Sequence, residues 1–180
     1  MALFQKGDAP AYALLVERYK DELTNFARRF VGDGDDADDV VQETFVRVWR
    51  KRDSYTPAAR FSTWIYTITS NLAKTRLRRL SLRRFVRLGS TNTEGPVFDL
   101  PDEGVGPDGA ADEALREERI QEALGSLPVR FREVIVLRDI QQLSYEEIVV
   151  ITGSAMGTVK SRINRARAML RDQLRDLIRD

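Results

Sequence analysis

The chain has 180 residues, 42% of them hydrophobic, enough for one medium or two small folded cores. It contains neither cysteine nor histidine, which removes disulfides, zinc fingers, thiol nucleophiles, Ser-His-Asp triads and histidine-bound metals together. The formal net charge of +1 hides a segregation of acids and bases into separate blocks, and no apolar run approaches the roughly 20 residues that span a bilayer.

The opening segment MALFQKGDAPAY has no cationic stretch followed by an apolar one, so a cytoplasmic protein without membrane insertion is expected. From Ala9 to Phe30 the residues Tyr12, Leu15, Val16, Tyr19, Leu23, Phe26 and Ala27 recur at helical spacing, and Val31-Gly32-Asp33-Gly34 closes that helix. Asp35 to Trp49 predicts a second helix. Asp36, Asp38 and Asp39 load its first turn, where negative charge complements the helix dipole, and Arg47 and Arg50 load its last. The loop from Arg52 to Arg60 contains Pro57 and ends it. A third helix is predicted from Phe61 to about Phe85, with Phe61, Ile65, Ile68, Leu72 and Leu77 as its buried stripe and a strongly basic second half.

Residues 88–112 change character: Gly, Pro, Ser, Thr and acids dominate, and from Gly89 onward there is no Lys or Arg. This predicts a flexible acidic linker between two small domains, 1–87 and 113–180. After it come a helix from Glu113 to about Gly125 and another from Pro128, a favoured first-turn residue, to about Asp139. No segment alternates in the manner of a strand, so the expected fold is all-α.

Ser144 to Leu174 then reads as two helices joined by a glycine turn. Ser144 and Glu147 form a capping box, and Gly153 supplies the left-handed residue that ends the first helix. Ser154 is the expected N-cap of the second helix, with Thr158 the alternative, while Val159, Ile163, Ala166 and Leu170 mark its inner face. Lys160, Ser161, Asn164 and Arg165 therefore point outward near its N-terminal half, the part of a helix-turn-helix that enters the major groove, where Asn can pair with adenine and Arg with guanine. The plainer alternative is a solvated cationic face on a helical hairpin. Tyr145, Ile148 and Ile151 read as hairpin core, and Arg130, Arg132 and Arg138 as phosphate clamps or solvated cations.

Two further clusters carry chemistry. The run GDGDDADDVVQET fails the calcium-loop template counted from Asp33, because Ala37, Asp38 and Thr44 occupy the places of a ligand, the glycine and the closing glutamate. What remains is a helix face of Asp39, Gln42, Glu43 and Val46 beside Phe45 and Trp49, suited to a protein partner bearing arginines, or simply to dipole complementation and packing. From Ser54 to Arg79, aromatics (Tyr55, Phe61, Trp64, Tyr66) precede Asn71, Lys74, Arg76, Arg78 and Arg79. Stacking surfaces followed by cations suit single-stranded nucleic acid, although Phe61 and Trp64 also read as core. Between Lys74 and Arg87 there are seven cations and no acid, an array that calls for an anionic partner.

DDADDVVQETFVRVW, FSTWIYTITSNLAKTRLRR and LPVRFREVIVLRDIQQLSYEEI followed by GTVKSRINRARAMLR stand in the order and spacing of the extracytoplasmic-function sigma factors. These are small two-domain promoter-specificity subunits of bacterial RNA polymerase. The resemblance covers nearly the whole chain and implies a region 2-like domain, a linker and a region 4-like domain. It implies core polymerase as partner, through the β′ clamp helices and the β flap, with Asp39, Gln42, Glu43, Val46 and Trp49 at the docking helix. It also implies that the loop from Asp53 to Arg60 captures a base flipped from the −10 element, and that Asn71 and Lys74 lie near the melted strand. With the cationic array added, the expected −10 contacts are Ser54, Tyr55, Asn71, Lys74, Arg76 and Arg79. The expected −35 contacts are Thr158, Lys160, Ser161, Asn164 and Arg165. An anti-sigma protein is the implied regulator, and no cofactor, metal or catalytic residue is implied.

The chain enters at about the family's QKGD segment, which predicts a shortened first turn. Ser154 and Ala155 stand where the family commonly has an apolar-proline pair, and Val149 and Thr152 where it tends to have a small residue and a leucine. Two other classes compete with this reading. A stand-alone helix-turn-helix regulator accounts for the C-terminal half but leaves the acidic second and basic third helices unused. A nuclease needs clustered carboxylates for metal, and the dense acidic cluster lies at a helix start without supporting partners.

Overall fold

The computed structural model describes residues 1–32, 34–58, 60–88 and 108–175, without the side chains of 84–88 and 108–111. Every regular element among the described residues is helical. A single turn, α1 (Ala2–Gln5), precedes Gly7, whose φ of +82° lets the chain double back. Asp8 then caps α2 (Ala9–Val31): its Oδ1 accepts the Ala11 amide at 2.7 Å, and Pro10 sits in the first turn, where its missing N–H is no loss. α3 (Asp35–Arg50) has Asp35, Asp36 and Asp38 in its first turn and Arg47 and Arg50 in its last, the charge order a helix dipole favours. A 3-10 turn at Arg52–Ser54 and an exposed loop lead to α4 (Phe61–Leu88).

The second half starts with α5 (Asp108–Ser126), which begins inside the span expected to be linker. Asp108, Asp112 and Glu113 place negative charge at a helix start, and Ala110, Ala111 and Ala114 are strong helix formers. Acidic composition that reads as linker therefore also suits an N-terminal helical turn. The remainder of the expected linker, 89–107, lies outside the described residues. α6 (Val129–Ile135) passes into a π-helical turn at Val136–Ile140, where one continuous helix is expected. The turn closes with Gln142 at a φ of +55°, a left-handed conformation that costs a non-glycine residue about 1 kcal/mol.

α7 (Tyr145–Thr152) and α8 (Met156–Gln173) form the expected hairpin. Ser144 Oγ accepts the Glu147 amide at 3.2 Å, Glu147 Oε2 accepts the Ser144 amide at 2.9 Å, and Gly153 adopts a φ of +63°. One detail is corrected: Ala155, not Ser154, is the N-cap of α8, and Thr158 lies within the helix. Ser154 Oγ instead accepts from Arg162 Nη1 at 3.0 Å, so a tertiary bond replaces the local cap.

α2, α3 and α4 pack together around Leu23, Phe26, Phe30, Val41, Val48 and Ile65, while α6, α7 and α8 enclose Val134, Ile148, Val159 and Ile163. The halves also meet: α4 packs on α7, and α2 packs on α5 and the π-helical turn. Every residue from Phe131 to Leu137 is buried, including Arg132 and Glu133. This buried stretch lies between α8 and the first half of the chain, and its two charged residues are each met by partners from that half.

Arg132 overturns the reading of a phosphate clamp or a solvated cation, being 1% exposed. Its Nη1 donates to Phe30 O at 2.8 Å, and its Nη2 donates to Gly125 O and Leu127 O. These carbonyls stand at the ends of α2 and α5, where helices leave acceptors without intrahelical partners and carry negative dipole charge. Desolvation pushes the guanidinium down to about 10.

Candidate nucleic-acid interface

The outward face of α8 brings together Thr158, Lys160, Ser161, Asn164 and Arg165, all exposed, while Val159, Ile163 and Ala166 are buried behind them. Its cations divide by their partners. Arg162 is bonded to Ser154, and Arg167 forms a two-point bond with Asp139 at 2.9 and 2.6 Å that raises its pKa. Arg138 Nη1 donates to Leu143 O at 2.7 Å and covers the Tyr145 ring, from which the Lys160 ammonium is 5.8 Å. These bonds brace the hairpin beneath a polar face able to hydrogen-bond base edges and phosphates.

On α3, Asp39, Gln42 and Val46 are exposed and Glu43 is half-buried, with Val46 a 40% exposed apolar group among polar neighbours. Glu43 Oε1 takes Arg47 Nε at 2.8 Å. Phe45 is buried behind this face. Trp49 lies half-buried at its edge, its ring 4.9 Å from Tyr12 and 6.4 Å from Phe4.

The third group splits. Ser54 is exposed, its hydroxyl donating to Lys51 O at 2.7 Å, and Asn71 and Arg79 are exposed along α4. Tyr55, expected on the DNA side, is buried at 6% exposure. Its ring meets Phe61 at 5.7 Å and Trp64 at 5.4 Å, so it supports the loop from beneath and offers no face for a base. Arg76 is also redirected. Its Nε donates to Asp36 Oδ1 at 2.6 Å and its Nη2 reaches Asp36 and Asp39, bonds that raise its pKa and clamp α4 to the start of α3. The acids that favour the N-terminus of α3 thus also capture a cation from the next helix.

Lys74 has a partner too. Its ammonium lies 2.9 Å from Glu133 Oε1, which accepts the Ser70 hydroxyl at 2.5 Å. Nearby, Tyr66 donates to Gln141 Oε1 at 2.6 Å, and Arg60 reaches Glu147 at 3.4 Å, so polar bonds link α4 and its preceding loop to the second half. Sequence reasoning did not single out Ser70 or Glu133. The signal was available, since Glu133 directly precedes the apolar run VIVL and a carboxylate carried inward with it requires a donor or a cation.

Sequence and structure comparisons match both halves. The sigma-70 region 2 family profile matches residues 15–83, and the sigma-70 region 4 profile matches 117–170. The chain is 38% identical over 175 residues to the ECF RNA polymerase sigma factor SigW of Bacillus subtilis (strain 168), covering 96% of this chain and 94% of that protein. It is 36% identical over 185 residues to the ECF RNA polymerase sigma-E factor of Escherichia coli (strain K12), covering 97% and 92%. Among solved structures, CnrH in complex with the cytosolic domain of CnrY superposes with a TM-score of 0.71 at 30% identity, covering 97% of this chain and 94% of that one. The sigma factor RpoE of Bartonella quintana, solved with the anti-sigma factor NepR, gives a TM-score of 0.70 at 28% identity, covering 92% and 97%. With both halves matched, and relatives of one kind aligned over nearly their full lengths, the chain belongs to the extracytoplasmic-function group of sigma-70 family RNA polymerase sigma factors.

Proposed function

We propose that this sigma factor docks on core polymerase through the α3 face of Asp39, Gln42, Glu43 and Val46, and contacts promoter DNA at two places. Asn164 and Arg165, flanked by Thr158, Lys160 and Ser161, would read −35 base edges in the major groove, where Arg pairs with guanine and Asn with adenine. The exposed side of the loop around Ser54, with Asn71, Lys74 and Arg79, would hold the melted −10 strand. Unstacking a base costs a few kcal/mol, which polymerase docking and phosphate contacts supply. The chain then directs promoter-specific initiation, while phosphodiester chemistry belongs to the polymerase.

Lys74 gives this assignment a condition. Its ammonium already faces Glu133, so a phosphate can take it only by replacing that carboxylate, and strand binding competes with the contact between the halves. Because the RpoE relative was solved with an anti-sigma factor, we propose a protein regulator of that class for this chain as well, acting in the cytoplasm.

The observation that carries the reading is the presence on one chain of a polar α8 face and a separate acidic and apolar α3 face. A stand-alone regulator has use for only the first. The test is reconstituted transcription with core polymerase. The double variant Asp39→Ala, Gln42→Ala should lose polymerase binding and promoter-dependent transcripts while retaining its weak −35 duplex binding. Tight promoter binding without polymerase, and no transcripts with it, would overturn the proposal.

A further inference from the structure

The loop between α3 and α4 is fixed at its root and open at its tip, and what fixes it is the N-terminal turn. Gln5 Nε2 donates to Tyr55 O at 2.7 Å, across 50 positions of sequence. Gln5 is itself held in place by its neighbour: Phe4 is 0% exposed, with ring centroids of Tyr12, Phe61 and Trp49 at 6.0, 6.1 and 6.4 Å. Tyr55, whose carbonyl Gln5 engages, packs its ring on Phe61, so one aromatic cluster seats both ends of the hydrogen bond.

Arg52 closes the arrangement from the other side. Its guanidinium donates to Trp49 O at 3.0 Å, lies 4.9 Å over the Trp49 ring, and comes within 3.7 to 3.8 Å of a Cβ placed at Gly7. Beyond this root, Asp53, Ser54, Thr56, Pro57 and Ala58 are all exposed. A loop with a clamped root and an exposed tip is organised before it meets its ligand, which removes part of the ordering cost from the binding step.

We infer that Gln5 is a positioning residue for −10 recognition: through its amide bond to the Tyr55 carbonyl, the N-terminal turn sets the shape of the base-capturing loop and hence its discrimination among bases. This rests on the reading of that loop as the −10 contact. Gln5 touches no DNA in this scheme, and its amide bonds the Tyr55 carbonyl rather than Asp39, Gln42, Glu43 or Val46. Losing one such anchor should lower discrimination by about three- to tenfold, the factor corresponding to a typical net hydrogen bond.

The experiment uses the full chain with core polymerase and promoter fragments that differ at single −10 positions, scored by open-complex formation. Gln5→Met keeps the side chain's length and removes its donor, and Gln5→Glu presents a carboxylate to the carbonyl. Both should flatten the preference among −10 bases, Gln5→Glu the more, with polymerase affinity and −35 preference unchanged. Phe4→Leu should lower thermal stability, and the comparison separates stability from selectivity. Unchanged base preference in the Gln5 variants, alongside altered preference in Ser54→Ala or Asp53→Ala, would overturn the positioning role alone. Unchanged preference in all of them would remove the loop reading and this role with it.

Discussion

Lys74 on α4 and Glu133 on α6 sit 2.9 Å apart, both largely enclosed, with side chains 21% and 6% exposed. The Ser70 hydroxyl completes the site at 2.5 Å from the same Glu133 oxygen. The carboxylate comes from the second half of the chain and both donors from the first. A buried acid between a cation and a hydroxyl is satisfied, and it costs stability when either side is removed.

Glu133→Ala should therefore do two opposite things. It leaves Lys74 and Ser70 without their acceptor, destabilising the chain by about 1–3 kcal/mol in denaturant titrations. It also removes a negative charge from beside Lys74, the cation proposed to hold the strand, so affinity for a −10 non-template single strand should rise, with a steeper salt dependence. Destabilisation without a gain in strand affinity would show that Lys74 faces no nucleic acid.

Two cations separated by one turn of α4 should behave differently. Arg76 is bonded to Asp36 and Asp39, so Arg76→Ala should loosen the junction of α3 and α4 by about 1 kcal/mol and leave the salt slope of DNA binding nearly unchanged. Arg79 is exposed, and Arg79→Ala should leave stability intact and reduce the salt slope by about 1. Equal salt slopes in the two variants would contradict this division.

What could be read from the sequence was short in range. The capping box of Ser144 and Glu147, the left-handed Gly153 and the inner stripe of α8 depend on residues within one or two helical turns, and all three stand where local rules put them. The partners of Arg76 and Arg132 were out of sight for the opposite reason. A cation's partner is invisible when it lies 40 positions away, as Asp36 does, or 102 away, as the Phe30 carbonyl does. Tyr55 was misplaced because a tyrosine suits a stacking platform and an aromatic core equally, and only the positions of Phe61 and Trp64 decide between them. The π-helical turn has no local signature in VLRDI; it lies where the buried end of α6 leads to the α7 hairpin.

The tyrosines give a pH dependence with a definite sign. Burial raises the pKa of Tyr12, Tyr19 and Tyr66 above the usual 10.0, most strongly at Tyr66; nearby Glu22 adds to the shift at Tyr19 and Tyr66. Below that value the phenols are protonated in both folded and unfolded chains and add no slope. Above it the unfolded chain ionises first, the folded chain binds more protons, and stability falls as pH rises, by up to about 1.4 kcal/mol per pH unit for each group. Tyr66→Phe should flatten that decline while costing stability at neutral pH, where its hydroxyl bonds Gln141. Urea titrations on either side of the phenol pKa, read with tyrosinate absorbance, test this. A decline of the same steepness in Tyr66→Phe would place its cause elsewhere.

Recognition of the −35 duplex should rest on the cations of α8 that have no structural duty. Arg167 is tied to Asp139 and Arg162 to Ser154, whereas Arg165 and Asn164 are exposed at the centre of the outward face. Arg165→Ala should weaken −35 binding by about 1–3 kcal/mol and relax preference at a single base pair, while Lys160→Ala should weaken all sequences alike and lower the salt slope. Arg167→Ala should act through the fold, loosening α8 from the π-helical turn and lowering thermal stability slightly, because the pair it removes is half-exposed. Competition binding of the polymerase complex against −35 variants separates these outcomes. Unchanged promoter preference in Arg165→Ala would move base reading to its neighbour Asn164 and to Ser161, one helical turn nearer the start of the helix.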